Sequence, residues 1–332
     1  MPESVRPFAA ALLSRLSVTK VQVTVQAQEA LLLPRYLGST IRGAFGWALR
    51  DAGCFCETDD HEPSCAYARL FEPTITKEAA STLRVSQDAP PGFLFDLPLE
   101  GPRIVPPGAL FCWGLTLIGS VARQLPRFVQ AVERMGQLYG LGRRGDRPDR
   151  GRFQLVDVRD TAGRLLYDGP SDTWEALPPA QPLMPEISDT PVSSLHVRFK
   201  TPARITTRLG RPRKDFLVPH LAIDFWALIE AIYHRLYVLD ALYGQGMCKR
   251  YDSRALIFDT EEARLSKAHV EWYDWKRHSN RQDRSHKLGG FIGDVFFEGA
   301  LTRYVPLILA GQHVHAGKGT TFGMGNYDVL DP

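Results

Sequence analysis

The stretch FIGDVFFEGALTRYVPLILAGQHVHAGKGTTFGMGNYDVL, Phe291 to Leu330, decides the fold. Phe291 to Phe297 reads as a strand, and Ala300 to Ala310 as a short helix with Pro306 inside it. Gly311 to Gly325 is a basic, glycine-rich loop, and Tyr327 to Leu330 a last strand. The first half of the chain ends in the same order. Ala109 to Ile118 is a strand, and a helix follows that ends at Tyr139. Because Pro126 is best tolerated in a first turn, that helix starts near Gln124. A basic loop punctuated by Gly140, Gly142, Gly145 and Gly151 then leads to the strand Phe153 to Val158. Little residue identity links the two stretches, so the repeat is one of architecture.

Working outward, each stretch is preceded by a strand and a helix. Thr19 to Gln26 alternates Val21, Val23 and Val25 with Lys20, Gln22 and Thr24, the pattern of a half-buried strand. Gly38 to Asp51 is a helix with Ile41, Phe45, Ala48 and Leu49 on one face. In the second half, Leu195 to Lys200 is a strand, Pro219 to Leu242 a long helix, and Val270 to Trp275 another strand. Two β-α-β-β-α-β units make an α+β protein of tandem ferredoxin-like (RRM-like) domains. Each has an antiparallel sheet covered by helices on one face and a glycine-rich loop before its last strand. The expected division is an N-terminal domain over 1–165 with a cysteine-containing insertion, a proline-rich linker over 166–193, and a C-terminal domain over 194–332.

Composition narrows the function. With 332 residues, 44% of them hydrophobic, the chain can bury two ordinary cores. No apolar run approaches the roughly 20 residues that span a bilayer, and five cysteines argue against a disulfide framework. A cytoplasmic protein with no membrane partner is expected. The net charge of +3 conceals an uneven distribution. Arg143 to Arg152, Arg198 to Lys214 and Lys276 to Lys287 together hold 17 positive and 3 negative residues, which leaves 23 positive against 34 negative elsewhere. Three concentrated basic segments on an acidic body are the electrostatic footprint of nucleic-acid binding. The residues expected to contact RNA are Arg143, Arg144, Arg147, Arg208, Arg211, Arg213, Lys214, Arg277 and Arg281, with Gly317, Gly319 and Thr320 of the last loop. Trp272, Tyr273 and Trp275 either stack bases or fill the covered face of the sheet.

Certain runs point further. Trp272, Trp275, Arg277, Ser279, Arg281 and Gln282, then Leu288 to Gly293, then His315 to Tyr327 closely resemble the C-terminal signature of the CRISPR-associated precursor-RNA processing endoribonucleases, the sixth Cas family of the RAMP superfamily. Leu37 to Gly46, followed by the cysteines, Tyr67 and Leu70 to Glu72, is similar to the start of one branch of that family. The resemblance implies a protein that binds CRISPR repeat RNA and cuts it without metal or other cofactor. The ribose 2′-OH attacks the adjacent phosphate and leaves a 2′,3′-cyclic phosphate and a 5′-OH. A base, an acid and a cation are then required. Many members carry a histidine on or near the first helix, whereas Gly38 to Asp51 has none. The catalytic candidates are therefore His315, supported by Tyr36, Arg42 and Lys318. The competing readings are a backbone-carbonyl hydrogen bond or a phosphate contact for His315, packing for Tyr36 and an acidic partner for Arg42; for His315 an RNA contact is the stronger expectation. The same resemblance also admits a non-catalytic crRNA-binding subunit that assembles with other CRISPR effector subunits.

Two other motifs are weighed. The loop is not a P-loop, because Gly319 rather than Ser or Thr follows Lys318, and the loop leads from a helix into a strand. Cys54, Cys56, His61 and Cys65 have the residue types of a Cys₃His zinc site, but Cys-x-Cys is tighter than the usual spacing. They are read as ordinary reduced side chains, with structural zinc as the alternative.

Overall fold

The computed structural model describes residues 10–331 except 11, 59, 63, 98, 100–102, 144–148, 176, 178–179, 184–189, 208–215, 218–222, 246–262 and 280–283. The side chains of 207, 216–217, 275–279, 284–288 and 331 are also outside the description. The chain forms two compact units, one of Val18–Gln181 and one of Met1–Ser17 with Pro182–Pro332.

The first unit runs β1 (Ser17–Ala27), β2 (Leu31–Leu33), α1 (Gly38–Gly53), α2 (Ala66–Phe71), α3 (Lys77–Leu83), β3 (Phe93–Asp96), β4 (Arg103–Val105) and β5 (Leu110–Ile118). It continues with α4 (Leu125–Arg134), β6 (Phe153–Asp160), β7 (Leu165–Asp168) and β8 (Thr173–Trp174). Its main sheet has the order β3-β5-β1-β6-β7-β8, and each of these neighbours pairs antiparallel. The first strand thus lies between the third and fourth of a β-α-β-β-α-β unit, which is ferredoxin-like topology. Val21, Val23 and Val25 are buried on β1, as their alternation dictates. Pro126 sits in the first turn of α4, where its missing N–H removes no helical bond. Phe45 of α1 centres the core, with ring centroids 5.3 Å from Phe128 and 5.4 Å from Phe95.

The stretch expected to be a linker contributes to this unit. Leu166 and Tyr167 are buried on β7, and the Tyr167 hydroxyl lies 2.5 Å from Glu133 and 2.9 Å from Asp172. Proline-rich composition concealed the short apolar strand, which hydrogen-bonds to the edge of β6.

After β9 (Gln181–Pro182), the second unit repeats the plan with β10 (Ser194–Ala203), the short β11 (Thr206–Thr207) and β12 (Phe216–Leu217), α5 (Phe225–Tyr243), β13 (Arg264–Ser279), β14 (Arg284–Glu298), α6 (Val305–Val314) and β15 (Tyr327–Asp331). The sheet order is β13-β14-β10-β15, antiparallel throughout, so again the first strand lies between the third and fourth. Phe225 packs on Phe297 at 5.1 Å and on Tyr304 at 5.2 Å. Several boundaries differ from expectation, β14 among them, which starts at Arg284 and not at Phe291. Helix α5 starts at Phe225, where the Asp224 carboxylate accepts from the Ala227 N–H. Helix α6 starts at Val305 so that Pro306 falls in its first turn, and it extends to Val314. Strand β13 is much longer than Val270 to Trp275, because it pairs with β14 along its whole length. Among the described residues no helix is long and apolar enough to cross a membrane.

Candidate nucleic-acid interface

The last glycine loop is laced to the end of β10. Helix α6 ends at Val314, whose carbonyl accepts from Arg235 Nε at 2.5 Å. Burial holds the Arg235 guanidinium down to about 10, against the opposing effect of Tyr243. Beyond the helix, the Ala316 N–H donates to the Gly325 carbonyl, Lys318 N–H to Arg204, and Gly325 N–H to Pro202, each at 2.9 Å. The Thr201 hydroxyl donates to the Gly323 carbonyl at 2.7 Å and accepts from the Asn326 N–H at 2.9 Å. Gly317 needs its positive φ of 87°, and a Cβ there would stand 2.5 Å from the Arg204 carbonyl oxygen. The consequence is a fixed loop that presents the Lys318 side chain to solvent. The N–H groups of Gly317 and Gly319, on either side of it, donate to no backbone carbonyl among the described residues. Backbone donors beside a lysine in such a turn suit an anion.

His315 occupies the turn from helix into loop. Its side chain is fully buried, and Nδ1 lies 3.1 Å from the Met324 carbonyl oxygen. A carbonyl only accepts, so Nδ1 carries the hydrogen and donates it. The His315 backbone has φ 61° and ψ 160°, a region proper to glycine. At the same place in the first unit, directly after its second helical segment, stands Gly140 with φ 63° and ψ 179°. A side chain in that region costs about 1–3 kcal/mol, and one hydrogen bond returns about 0.5–1.5 kcal/mol net. The imidazole is thus held at a strained position, where its bond fixes Met324 across the loop. A ring with no exposed surface is poorly placed to exchange a proton with a ribose, which is the physical obstacle to the catalytic expectation.

Of the other expected residues, Thr320 has a buried side chain and opens a single 3-10 turn in the same loop. Tyr36 and Arg42 belong to the first unit. Tyr36 is buried, and the Arg42 guanidinium lies 4.3 Å from the Phe71 ring centroid. Arg143 is exposed, and its N–H donates to Leu32 at 2.8 Å, which ties the first glycine loop to β2 much as the second is tied to β10. Arg144, Arg147, Arg208, Arg211, Arg213, Lys214 and Arg281 lie outside the described residues, as does the side chain of Arg277. Tyr273 is buried, and Trp272 Nε1 donates to Asp274 at 2.9 Å.

The sequence reading missed a cluster on the other face of this sheet. His196, Arg198 and Lys200 alternate with the buried Leu195, Val197 and Phe199 on β10. His196 Nε2 and Arg198 Nε lie 2.6 Å and 2.8 Å from the same Asp294 oxygen, while Lys200 pairs with Asp328 at 2.8 Å. Burial pushes the Asp294 carboxyl up, but Arg198 and His196 outweigh it and leave it below the ordinary range. The His196 ring stacks on Phe296 at 4.1 Å. A shallow groove of about 660 Å³ runs over Arg198, Lys200, His269 and Asp294. Alternation within Leu195 to Lys200 was the available signal.

The four metal-type side chains of the first unit converge. Cys54 Sγ is 3.3 Å and Cys65 Sγ 3.8 Å from His61 Nδ1. The ligand atoms of Cys54, Cys56, His61 and Cys65 all lie within 4.8 Å of one another. They form one cluster.

Comparison with known proteins agrees with this architecture. Residues 197–327 match the family model of the CRISPR-associated endoribonuclease Cas6, and residues 16–179 match a family model described as the AF_1859_N N-terminal domain. Among solved structures, Thermus thermophilus Cas6 superimposes with a TM-score of 0.52 at 14% identity over 95% of this chain and 99% of that one. A Cas6 product complex gives 0.53 at 15% identity, over 94% of this chain and 100% of that one. A partial Cas6-RT-Cas1–Cas2 complex gives 0.56 at 11% identity, over 96% of this chain and 47% of that one. These identities speak for a shared fold. No curated protein matches the sequence.

Proposed function

We propose, on the premise that this chain belongs to the CRISPR-associated endoribonuclease Cas6 family, that it binds CRISPR repeat RNA and cuts it by attack of a ribose 2′-OH on the adjacent phosphate. The observation that carries the reading is the glycine loop, which sets an exposed lysine between two backbone N–H groups that donate to no backbone carbonyl among the described residues. In the reaction the 2′-oxygen forms a bond to phosphorus, the bond to the 5′-oxygen breaks, and the products are a 2′,3′-cyclic phosphate and a 5′-OH. The 2′-OH proton goes to a base, and the leaving 5′-oxygen receives one from an acid. No metal enters these steps. Lys318 and the N–H groups of Gly317 and Gly319 steady the charge that builds on the phosphate oxygens. His315 acts as a positioning residue, holding Met324 and with it the shape of the loop.

Incubating the protein with repeat RNA in EDTA tests the reading: a single cut with a cyclic-phosphate end is expected. RNA binding without cleavage would instead establish the second reading, a non-catalytic crRNA-binding subunit, which the buried His315 and the absence of histidine from α1 favour. Lys318→Ala is expected to weaken RNA binding uniformly across sequences. It should also reduce the slope of log affinity against log salt by about 1, as for one lost phosphate contact. Titrations at several ionic strengths measure both; an unchanged slope places Lys318 away from the phosphates.

A further inference from the structure

We propose that Cys54, Cys56, His61 and Cys65 bind one zinc ion as a closed structural centre that clamps the end of α1 to the start of α2. This inference stands apart from the RNA reading. Zinc holds thiolates at about 2.3 Å and imidazole nitrogen at about 2.0–2.1 Å in a tetrahedron, which places ligand atoms about 3.5–3.8 Å apart. The separations of 3.3 Å and 3.8 Å to His61 fall around that range, and all four ligand atoms lie within 4.8 Å of one another.

The tight Cys-x-Cys spacing finds its explanation in the backbone. Cys54 is extended, with φ −110° and ψ 124°, and side chains two apart on an extended segment share a face. Both thiols therefore turn to His61, and the residue between them turns away. Phe55 is in consequence 95% exposed, an unfavourable setting for a large apolar ring. Chain segments free to choose would bury the phenylalanine; here the two cysteines point inward instead.

The ligands are fixed to regular structure at both ends. Cys54 caps α1, its N–H donating to Arg50 at 2.8 Å, and the Cys65 carbonyl accepts from Arg69 in α2 at 3.0 Å. From there the clamp reaches the core. The Tyr67 ring lies 5.0 Å from His61 and 5.4 Å from Phe71, and Phe71 lies against Gly46, where any side chain would collide with its ring. Four protein ligands leave no open coordination position, so the ion would hold structure and take no part in RNA cleavage.

Elemental analysis of the full-length protein, purified without added metal, is expected to find one zinc per chain. Growth with cobalt should give the sulfur-to-cobalt charge-transfer and d–d absorption of a tetrahedral thiolate site. Cys65→Ser should lose most of the zinc, whereas Cys112→Ser, outside the cluster, should keep it. His61→Cys should retain the metal with an altered cobalt spectrum. Chelation should lower the melting temperature while cleavage, assayed well below it, continues. Wild-type protein that holds less than about a tenth of an equivalent of zinc and shows no thiolate spectrum with cobalt overturns the proposal. So does a disulfide among these cysteines in freshly isolated protein. If Cys65→Ser fails to fold, the wild-type metal content and cobalt spectrum decide alone.

Discussion

His315→Asn is expected to cut RNA at a rate near that of the parent protein, whereas His315→Ala and His315→Gly each lose at least about tenfold in kcat. The expectation rests on what the imidazole does in the folded chain. Nδ1 donates to the Met324 carbonyl from a position with positive φ. An asparagine amide also donates, and asparagine tolerates positive φ better than most residues. Alanine keeps the strain and loses the bond; glycine loses both. The Gly variant should therefore be the more stable of the two truncations, by about 1 kcal/mol, reversing the usual preference for alanine. Thermal denaturation measures that order. Kinetics then separate positioning from proton transfer. If His315 moved a proton, the asparagine variant would be no better than alanine, and one limb of the pH–rate profile would vanish. A shared profile shape with graded rates is the outcome expected of a residue that shapes the loop.

Much of this was legible in the sequence because it is local. Alternation marked Thr19 to Gln26, and a first-turn proline marked the start of α4. The repeated order of strand, helix, glycine loop and strand identified both ferredoxin-like units before any pairing was known. Pro306 carries the same signal as Pro126, a proline of the first turn, and sets the start of α6 at Val305 instead of Ala300. What escaped depends on distant partners. The burial of His315 follows from a loop folded back so that Met324 meets it and Pro202 anchors the far side. His196 and Asp294 lie 98 residues apart and meet only because β10 pairs with β14. Leu166 and Tyr167 form too short an apolar run to stand out among prolines, and their burial is decided by the edge of β6. The cysteine cluster turned on a single backbone conformation at Cys54, which no spacing rule contains.

Gly325→Ala is expected to destabilise the second unit by about 2–5 kcal/mol and to abolish cleavage together with tight RNA binding. Gly325 has φ 71°, and a Cβ there would collide with the Ala316 carbonyl oxygen, which is backbone and has no rotamer to yield. The left-handed conformation alone costs a non-glycine residue about 1–2 kcal/mol. Relieving the collision requires the loop to open, which breaks the bonds from Ala316 N–H to Gly325 and from Gly325 N–H to Pro202. Each of these contributes about 0.5–1.5 kcal/mol net. Gly108→Ala supplies the comparison, since Gly108 has φ 83° but nothing within 4 Å of its would-be Cβ. That substitution should cost only the conformational part, about 1–2 kcal/mol, and leave RNA binding intact. Paired denaturation curves and RNA titrations of the two variants measure the difference. Equal stability losses, or full RNA affinity in Gly325→Ala, would show that the loop yields without consequence and that its rigid geometry is not what receives the phosphate.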